Sequence, residues 1–404
     1  MASTNWFSAA LTAVAVVVGV LFAAGMGLYT YVHVTAPPTF VNAAAVPSVQ
    51  DAPPDPKWAD AVKQGQELTR ATIVEQDLPG LSVAVGIQGT IVWAEGFGWA
   101  DIEKQIKVAP RTRFRIGHAS VALTSAAVGL LLDQRRLRLN EEIQAYVPSY
   151  PKKQWPVTLR QLMGHVAGVK HYESEADYMP TQHCEAASAG VATFADAPLR
   201  FEPETKYSYS TFGWILVSAA VESAAQQPFA TFMRRQIFEP LQMTETTIDS
   251  ASEGTQDLAT FYESAWTGSH LPARVVDYSC FAGAGGFVST ASDLVRFGLA
   301  MDAGTLVKSS TVHQLQTPQQ LMSGKDTEYG LGWMLDTVSL AGESVRLASH
   351  ASRTMIGGSA TFLVFPERGL VVAVNGNLAY AGTRYMALQI ADAFAKAAKR
   401  PAGK

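Results

Sequence analysis

The first fifty residues contain no aspartate, glutamate, lysine or arginine; the first ionised side chains are Asp51 and Asp55, and the first basic one is Lys57. That gap depresses the charged fraction to 16%, against roughly 25% in an ordinary soluble protein. Cysteine is almost as scarce. Cys184 and Cys280 are the two in the chain, which excludes a disulfide-rich scaffold and an all-cysteine zinc site but leaves open whether they pair. No basic excess exists either: 31 Lys and Arg face 35 Asp and Glu, a net charge of -4, so the chain lacks the positive surface of a nucleic-acid binder. Walker and dinucleotide glycine fingerprints are missing, as is H-E-x-x-H, and the run AGAGGF from Ala282 leads into Ser-Thr-Ala. No cofactor and no metal are expected.

What the uncharged segment does contain is an apolar run from Ala9 to Val32 with Trp6 at one end and Tyr29 and Tyr31 at the other. As a helix rising ~1.5 Å per residue it reaches about 36 Å, enough for a hydrocarbon core of roughly 30 Å. A cleaved signal peptide has a basic start and an apolar run of ~7–15 residues, so residues 1–35 read instead as a transmembrane anchor. Ala15, Gly19, Ala23 and Gly27 recur at every fourth place. Two readings stand: a helix-packing row that lets another membrane helix approach, or a by-product of abundant alanine and glycine. Residues 36–56, with Pro37, Pro38, Pro47, Pro53, Pro54 and Pro56, read as an extended spacer.

The remainder, residues 57–404, is long enough for one large domain or two intimately joined ones. Helical spacing covers Trp58 to Asp77, and β-branched and aromatic runs on either side of Gly89 predict strands over Gly80 to Trp99. A helix follows over Ala119 to Gln134. SATFLVFP and LVVAVNG, split by Glu367-Arg368-Gly369, predict a late hairpin before a final amphipathic helix, Tyr385 to Ala398. Strands at both ends (57–117 and 342–404) around a helical middle (118–341) predict a mixed α/β, or α+β, fold: one sheet built from both ends of the chain.

Five ordered blocks carry a family resemblance: FRIGHASVALTSAAVGLLLDQRRLRLNEEIQAYVP from Phe114, PVTLRQLMGHVAGV from Pro156, YSYSTFGWILVSAAVE from Tyr207, AGAGGFVSTASDLVRFGLAM from Ala282, and SHASRTMIGGSATFLVFPE from Ser349. In these the chain resembles the serine β-lactamase and penicillin-binding-protein superfamily, in its class C-like branch and above all its mitochondrial members. The resemblance runs from about Trp58 to Ala398. It implies an antiparallel sheet flanked by helices, plus a helical subdomain.

That family works through a serine at a helix start and a lysine one turn later on the same face. Aligning FRIG puts His118 at the serine and Val121 at the lysine, so both reacting groups are gone. Ser120 is the fallback nucleophile, two residues late and without a lysine after it. Ser149-Tyr150-Pro151-Lys152 matches S-x-x-K literally but falls in a proline-punctuated loop, where the pair would not share a helical face. The second motif, Y-x-N, is Tyr209-Ser210-Thr211 here: the phenol stays and the amide becomes a hydroxyl. The third, K-T-G or H-x-G, is His350-Ala351-Ser352, followed by Arg353. A side chain in place of that glycine crowds the strand a substrate would lie along. Gly283, Gly285, Gly286, Ser289 and Asp293 keep the structural loop-and-helix block, where Ser289 or Thr290 caps the helix that begins near Ala291. His118 and His350 are expected to converge with Tyr209 near them, while His165 reads as structural.

These residues imply a membrane-anchored pseudoenzyme serving as an accessory or structural subunit of a membrane complex, with other membrane subunits met through the N-terminal helix. An active serine hydrolase or peptidase, and a binding module without turnover, are the alternatives. The resemblance implies a single-pass protein of the mitochondrial inner membrane with its domain in the intermembrane space, or a bacterial inner-membrane protein facing the periplasm.

Overall fold

The computed structural model describes residues 4–35, 38–179, 181–250, 256–265, 268–353 and 356–399, with backbone alone for 4–11, 29–35 and 353. Strands β1 (Ser48–Gln50), β2 (Gly80–Ile87), β3 (Thr90–Asp101) and β4 (Ile106–Lys107) come early in the chain. Short strands β5 (Phe114–Arg115), β6 (Thr247–Ile248), β7 (Tyr262–Ser264), β8 (His270–Pro272) and β9 (Phe287–Ser289) follow, and β10 (Met334–Leu340), β11 (Glu343–Arg353), β12 (Ser359–Phe365) and β13 (Leu370–Gly376) close it. The main sheet runs β1-β3-β2-β13-β12-β11-β10, antiparallel throughout, with β4 added on β3. Early and late strands thus meet at the β2–β13 pair, where Val83 lies opposite Val374.

Alternation along the central strands divides the core between the two faces of the sheet. Val83 and Val85 of β2, with Val372 and Val374 of β13, pack beneath helix α2 (Ala59–Glu75) and the C-terminal helix Arg384–Lys399. Ala84, Val371 and Ala373 face the other way, onto a larger core with α3 (Ser120–Asp133) and the helices Thr211–Ala225 and Ala291–Asp302. The β2–β3 turn needs left-handed backbone at Gln88 and Gly89 (φ 48° and 85°), and the β12–β13 turn places Gly369 at φ 56°. Thr290 is the residue that caps Ala291–Asp302, its hydroxyl accepting from the Asp293 N–H at 3.0 Å.

Two expectations are corrected. Residues 38–56 are not a free spacer: β1 lies within them and pairs with β3, Ser48 opposite Phe97 and Gln50 opposite Glu95. Phe40 and Val46 are buried, and Phe40 stacks on Trp99 with ring centroids 6.2 Å apart. The outer edge of β3 offers unpaired backbone groups, and satisfying them outweighs the proline bias toward an open chain. The sheet also begins before residue 342, because β10 starts at Met334, and the middle of the chain holds a β5-β9-β6 sheet and the β7–β8 hairpin besides its helices. As a sheet edge, β10 is exposed along much of its length and shows none of the apolar alternation that marks a strand.

The apolar N-terminal segment forms helix α1, Thr4–Thr35, 32 residues long. Its side chains are described over residues 12–28, and every one is exposed, Ala15, Gly19, Ala23 and Gly27 included. Trp6, Tyr29 and Tyr31 lie outside the described side chains. Among the described residues no helix is long and apolar enough to cross a membrane.

Removing the Phe40 ring tests the docking of the N-terminal segment. Phe40→Ala is expected to lower the unfolding free energy of the full-length chain in detergent by about 3 kcal/mol with an unchanged denaturant slope. A loss below about 1 kcal/mol would mean that residues 38–50 do not pack on the sheet.

Candidate functional site

The site begins where β5 turns into α3. Phe114 pairs with Ser289 of β9, and the next side chain, Arg115, is buried. Its Nε donates to Asp249 Oδ2 at 2.7 Å, its Nη1 to the Ile356 carbonyl at 3.1 Å, and its guanidinium lies 4.3 Å from the Phe261 ring centroid. Burial pushes the Asp249 carboxyl up while Arg115 opposes it, so this pair is part of the structural floor. A 3-10 turn, Gly117–Ala119, then leads into α3 and presents His118.

His118 stands at the head of the helix, where a family nucleophile would be. Its N–H donates to Ser352 Oγ at 3.0 Å, and its Nε2 sits 3.3 Å from Thr211 Oγ1. A backbone N–H at this place is the kind of donor that stabilises an oxyanion in acyl transfer. Here it is taken by Ser352, itself 1% exposed and standing in place of the glycine. The His118 ring is hemmed in by protein although part of it opens on the cleft. Burial, helped by His171, draws its pKa down to about 4, leaving a neutral imidazole at physiological pH.

Val121 is fully buried in the core between α3 and the helical half, with no access to a proton. Ser120, the fallback nucleophile, is 0% exposed, and its Oγ accepts from the Phe287 N–H at 3.3 Å, beneath β9. The helix register explains this, since a residue two places beyond His118 turns away from the cleft and into the core. Ser149 and Lys152 are exposed in an irregular segment and share no helical face.

Rings fill the rest of the cleft. Tyr209 lies 4.0 Å from His165, 5.1 Å from His118 and 5.7 Å from His171, centroid to centroid. Tyr329 OH meets His350 Nε2 at 3.0 Å and its ring stands edge-on to His165 at 4.7 Å. The Ser210 N–H donates to His165 Nδ1 and the Thr211 N–H to His171 Nδ1. His118 and His350 therefore do converge, with Tyr209 between the helical elements and His118. His165 is buried and holds the turn that positions Tyr209. Burial draws His350 down to about 3 and His165 well below its ordinary value, and it pushes the Tyr209 and Tyr329 phenols far up. A phenol so raised does not ionise to act as a base near neutral pH. Among the described residues no group of three or more His, Cys, Asp or Glu is placed to hold a metal ion.

A cavity of about 170 Å³ remains, lined by Gly117, His118, His171, Tyr172, Tyr278 and Phe281 among others. Tyr209 OH, His165 Nε2 and His350 Nδ1 are buried without a hydrogen-bond partner, the kind of group that water or a ligand satisfies. Cys184 and Cys280 form a disulfide with Cα atoms 4.8 Å apart, which ties the segment after Thr181 to the loop carrying Phe281. His183 lies beside it, Nδ1 3.0 Å from Asp277 Oδ2. From the sequence His171 falls, with His165 six residues before it, in a block that shapes the domain, and Tyr172 and Tyr278 carry no signal. Only the position of His171 shortly after the GHVAGV block hinted at the cleft.

An antiparallel sheet between helices, with a buried helix head facing an inner strand, defines the serine β-lactamase and penicillin-binding-protein class. The Beta-lactamase family model matches residues 58–395, and the chain belongs to that family. It is 26% identical to the serine beta-lactamase-like protein LACTB, mitochondrial, of Mus musculus, over 85% of this chain and 82% of that protein. The same protein of Homo sapiens is 26% identical, over 84% of this chain and 80% of its own length. Among solved structures, the octameric penicillin-binding protein homologue from Pyrococcus abyssi superposes with a TM-score of 0.69 at 21% identity, covering 81% of this chain and 76% of that one.

The depressed histidines give a pH signature. Their folded pKa values lie below the unfolded value near 6.5, so the unfolded chain binds protons that the folded one refuses and stability falls as pH drops from about 6.5 toward 4. His350→Gln removes one such group and is expected to make the fall shallower by up to about 1.4 kcal/mol per pH unit. Equal slopes for variant and native chain, measured by denaturant titration across that range, would contradict it.

Proposed function

We propose that this chain is a membrane-anchored β-lactamase-like protein that has lost acyl transfer and serves as an accessory or structural subunit of a membrane complex. The observation that carries the reading is the His118 N–H bound to Ser352 Oγ, with neutral His118 where a serine would attack and buried Val121 where a lysine would take its proton. Nucleophile, base and oxyanion donor are disabled together. Loss of one would slow the reaction, whereas loss of all three removes each route by which the family lowers the barrier.

The uncharged α1, exposed along residues 12–28, supports the anchor. A long apolar helix presents such a surface to lipid or to another helix, and the Ala15, Gly19, Ala23 and Gly27 row would admit a close partner. The location this reading favours is the mitochondrial inner membrane with the domain in the intermembrane space; LACTB of mouse and human is named mitochondrial. The Cys184–Cys280 disulfide suits that oxidising side and equally a bacterial periplasm. A binding role without turnover is the second reading, favoured by the aromatic cavity.

Isolating the native protein in mild detergent tests the subunit role. Co-migration with a membrane complex well above the 43.3 kDa of the chain is expected. A free, monodisperse monomer would overturn it.

A further inference from the structure

The corrected path of residues 38–50 constrains where the domain sits. Helix α1 ends at Thr35, and Thr39 is already fixed to the domain, its N–H donating to Asp77 Oδ1 at 2.8 Å; Phe40 beside it is buried. Four Cα steps join Thr35 to Thr39, which at ~3.8 Å each is a tether of at most about 15 Å. A free proline spacer over the whole of 36–56 would have reached several times as far. If α1 is in a bilayer, the surface around Phe40 is therefore within reach of the headgroup layer.

That surface is apolar where it need not be. Val41, next along the chain, is 76% exposed. Asp77 also holds His270, whose Nε2 lies 3.3 Å from Asp77 Oδ2, and the following residue, Leu271 on β8, is 54% exposed. Phe40 stacks on Trp99, which pairs with Lys107 of β4, and Ile106 on the same strand is 52% exposed. Exposed Lys107 follows Ile106, and such a stem lays its methylenes along apolar surface while the ammonium reaches lipid phosphates; Lys104 Nζ instead meets Asp101 Oδ2 at 2.9 Å. Three elements far apart in sequence thus place Val41, Ile106 and Leu271 each next in the chain to a residue tied to Phe40, Trp99 or Asp77, close to where the helix ends.

We propose that Val41, Ile106 and Leu271 form a membrane-contacting face, so that the domain lies on the lipid surface in a fixed orientation rather than swinging on a stalk. The proposal rests on the anchor reading above. Its occupant is the bilayer interface, since a tether this short presents the face to lipid before any partner in solution meets it. The exposed apolar side chains enter the interfacial layer and Lys107 meets anionic headgroups.

Site-directed labelling of the full chain tests it. Because both native cysteines are in the disulfide, Val41→Cys, Ile106→Cys and Leu271→Cys each offer a single thiol for an environment-sensitive fluorophore. Met322→Cys, at a 63% exposed position of the helical half, is the control. In vesicles of phosphatidylcholine with an anionic phospholipid, headgroup-nitroxide lipids are expected to quench the three labels several-fold more than the control, and aqueous iodide correspondingly less. Equal quenching at all four sites, in chains that float with the vesicles, overturns the face alone. Labels shielded from iodide but not quenched by lipid mean that protein covers the face, which also overturns it. Chains that fail to float overturn the anchor and the face with it.

Discussion

The hydrogen bond from the His118 N–H to Ser352 Oγ joins the head of α3 to the inner strand β11, and the character of the site depends on it. In a working acyl-transfer site that junction must stay open, because the amide does its work only when a substrate oxygen reaches it. Here a side chain of the same fold takes that amide, and the junction is a place of cohesion. The helical half and the sheet are then held together by a protein contact at the point where a substrate would otherwise bridge them.

A serine–lysine pair needs a polar, charge-adapted pocket; a cleft without one can be packed with rings. His118, His165, His171 and His350 sit among Tyr209 and Tyr329 with no metal-binding group among the described residues, and burial draws the imidazoles toward the neutral form. Among the described residues the cation lining the cavity, Arg115, is committed to Asp249 and the Ile356 carbonyl. Edge-to-face and tilted ring contacts stabilise such an assembly without any charge to desolvate. The remaining space is small, apolar and near-neutral, suited to recognition more than to proton transfer.

Local pattern made the central sheet and the position of His118 at the head of α3 legible. Alternating Val, Ala and Leu in β2 and β13, the FRIG block before His118 and the serine at position 352 each declare themselves within a few residues. What escaped depended on long-range partners. β1 is three residues without periodicity and exists because β3 has a free edge. The disulfide spans 96 residues, a separation that predicts nothing. His171 and Tyr278 reach the cavity from segments with no motif of their own, brought there by tertiary packing. Ser120 illustrates the same limit in reverse: a two-residue shift looks minor in a string but turns the side chain from the cleft to the core.

The central claim is that this chain cannot form an acyl- or phosphonyl-enzyme. Intact-mass measurement of the full-length protein after treatment with excess serine-reactive fluorophosphonate tests it most directly. The account predicts an unchanged mass for the native chain and a single adduct when His118→Ser, Val121→Lys and Ser352→Gly are combined. A stoichiometric adduct on the native chain would contradict it.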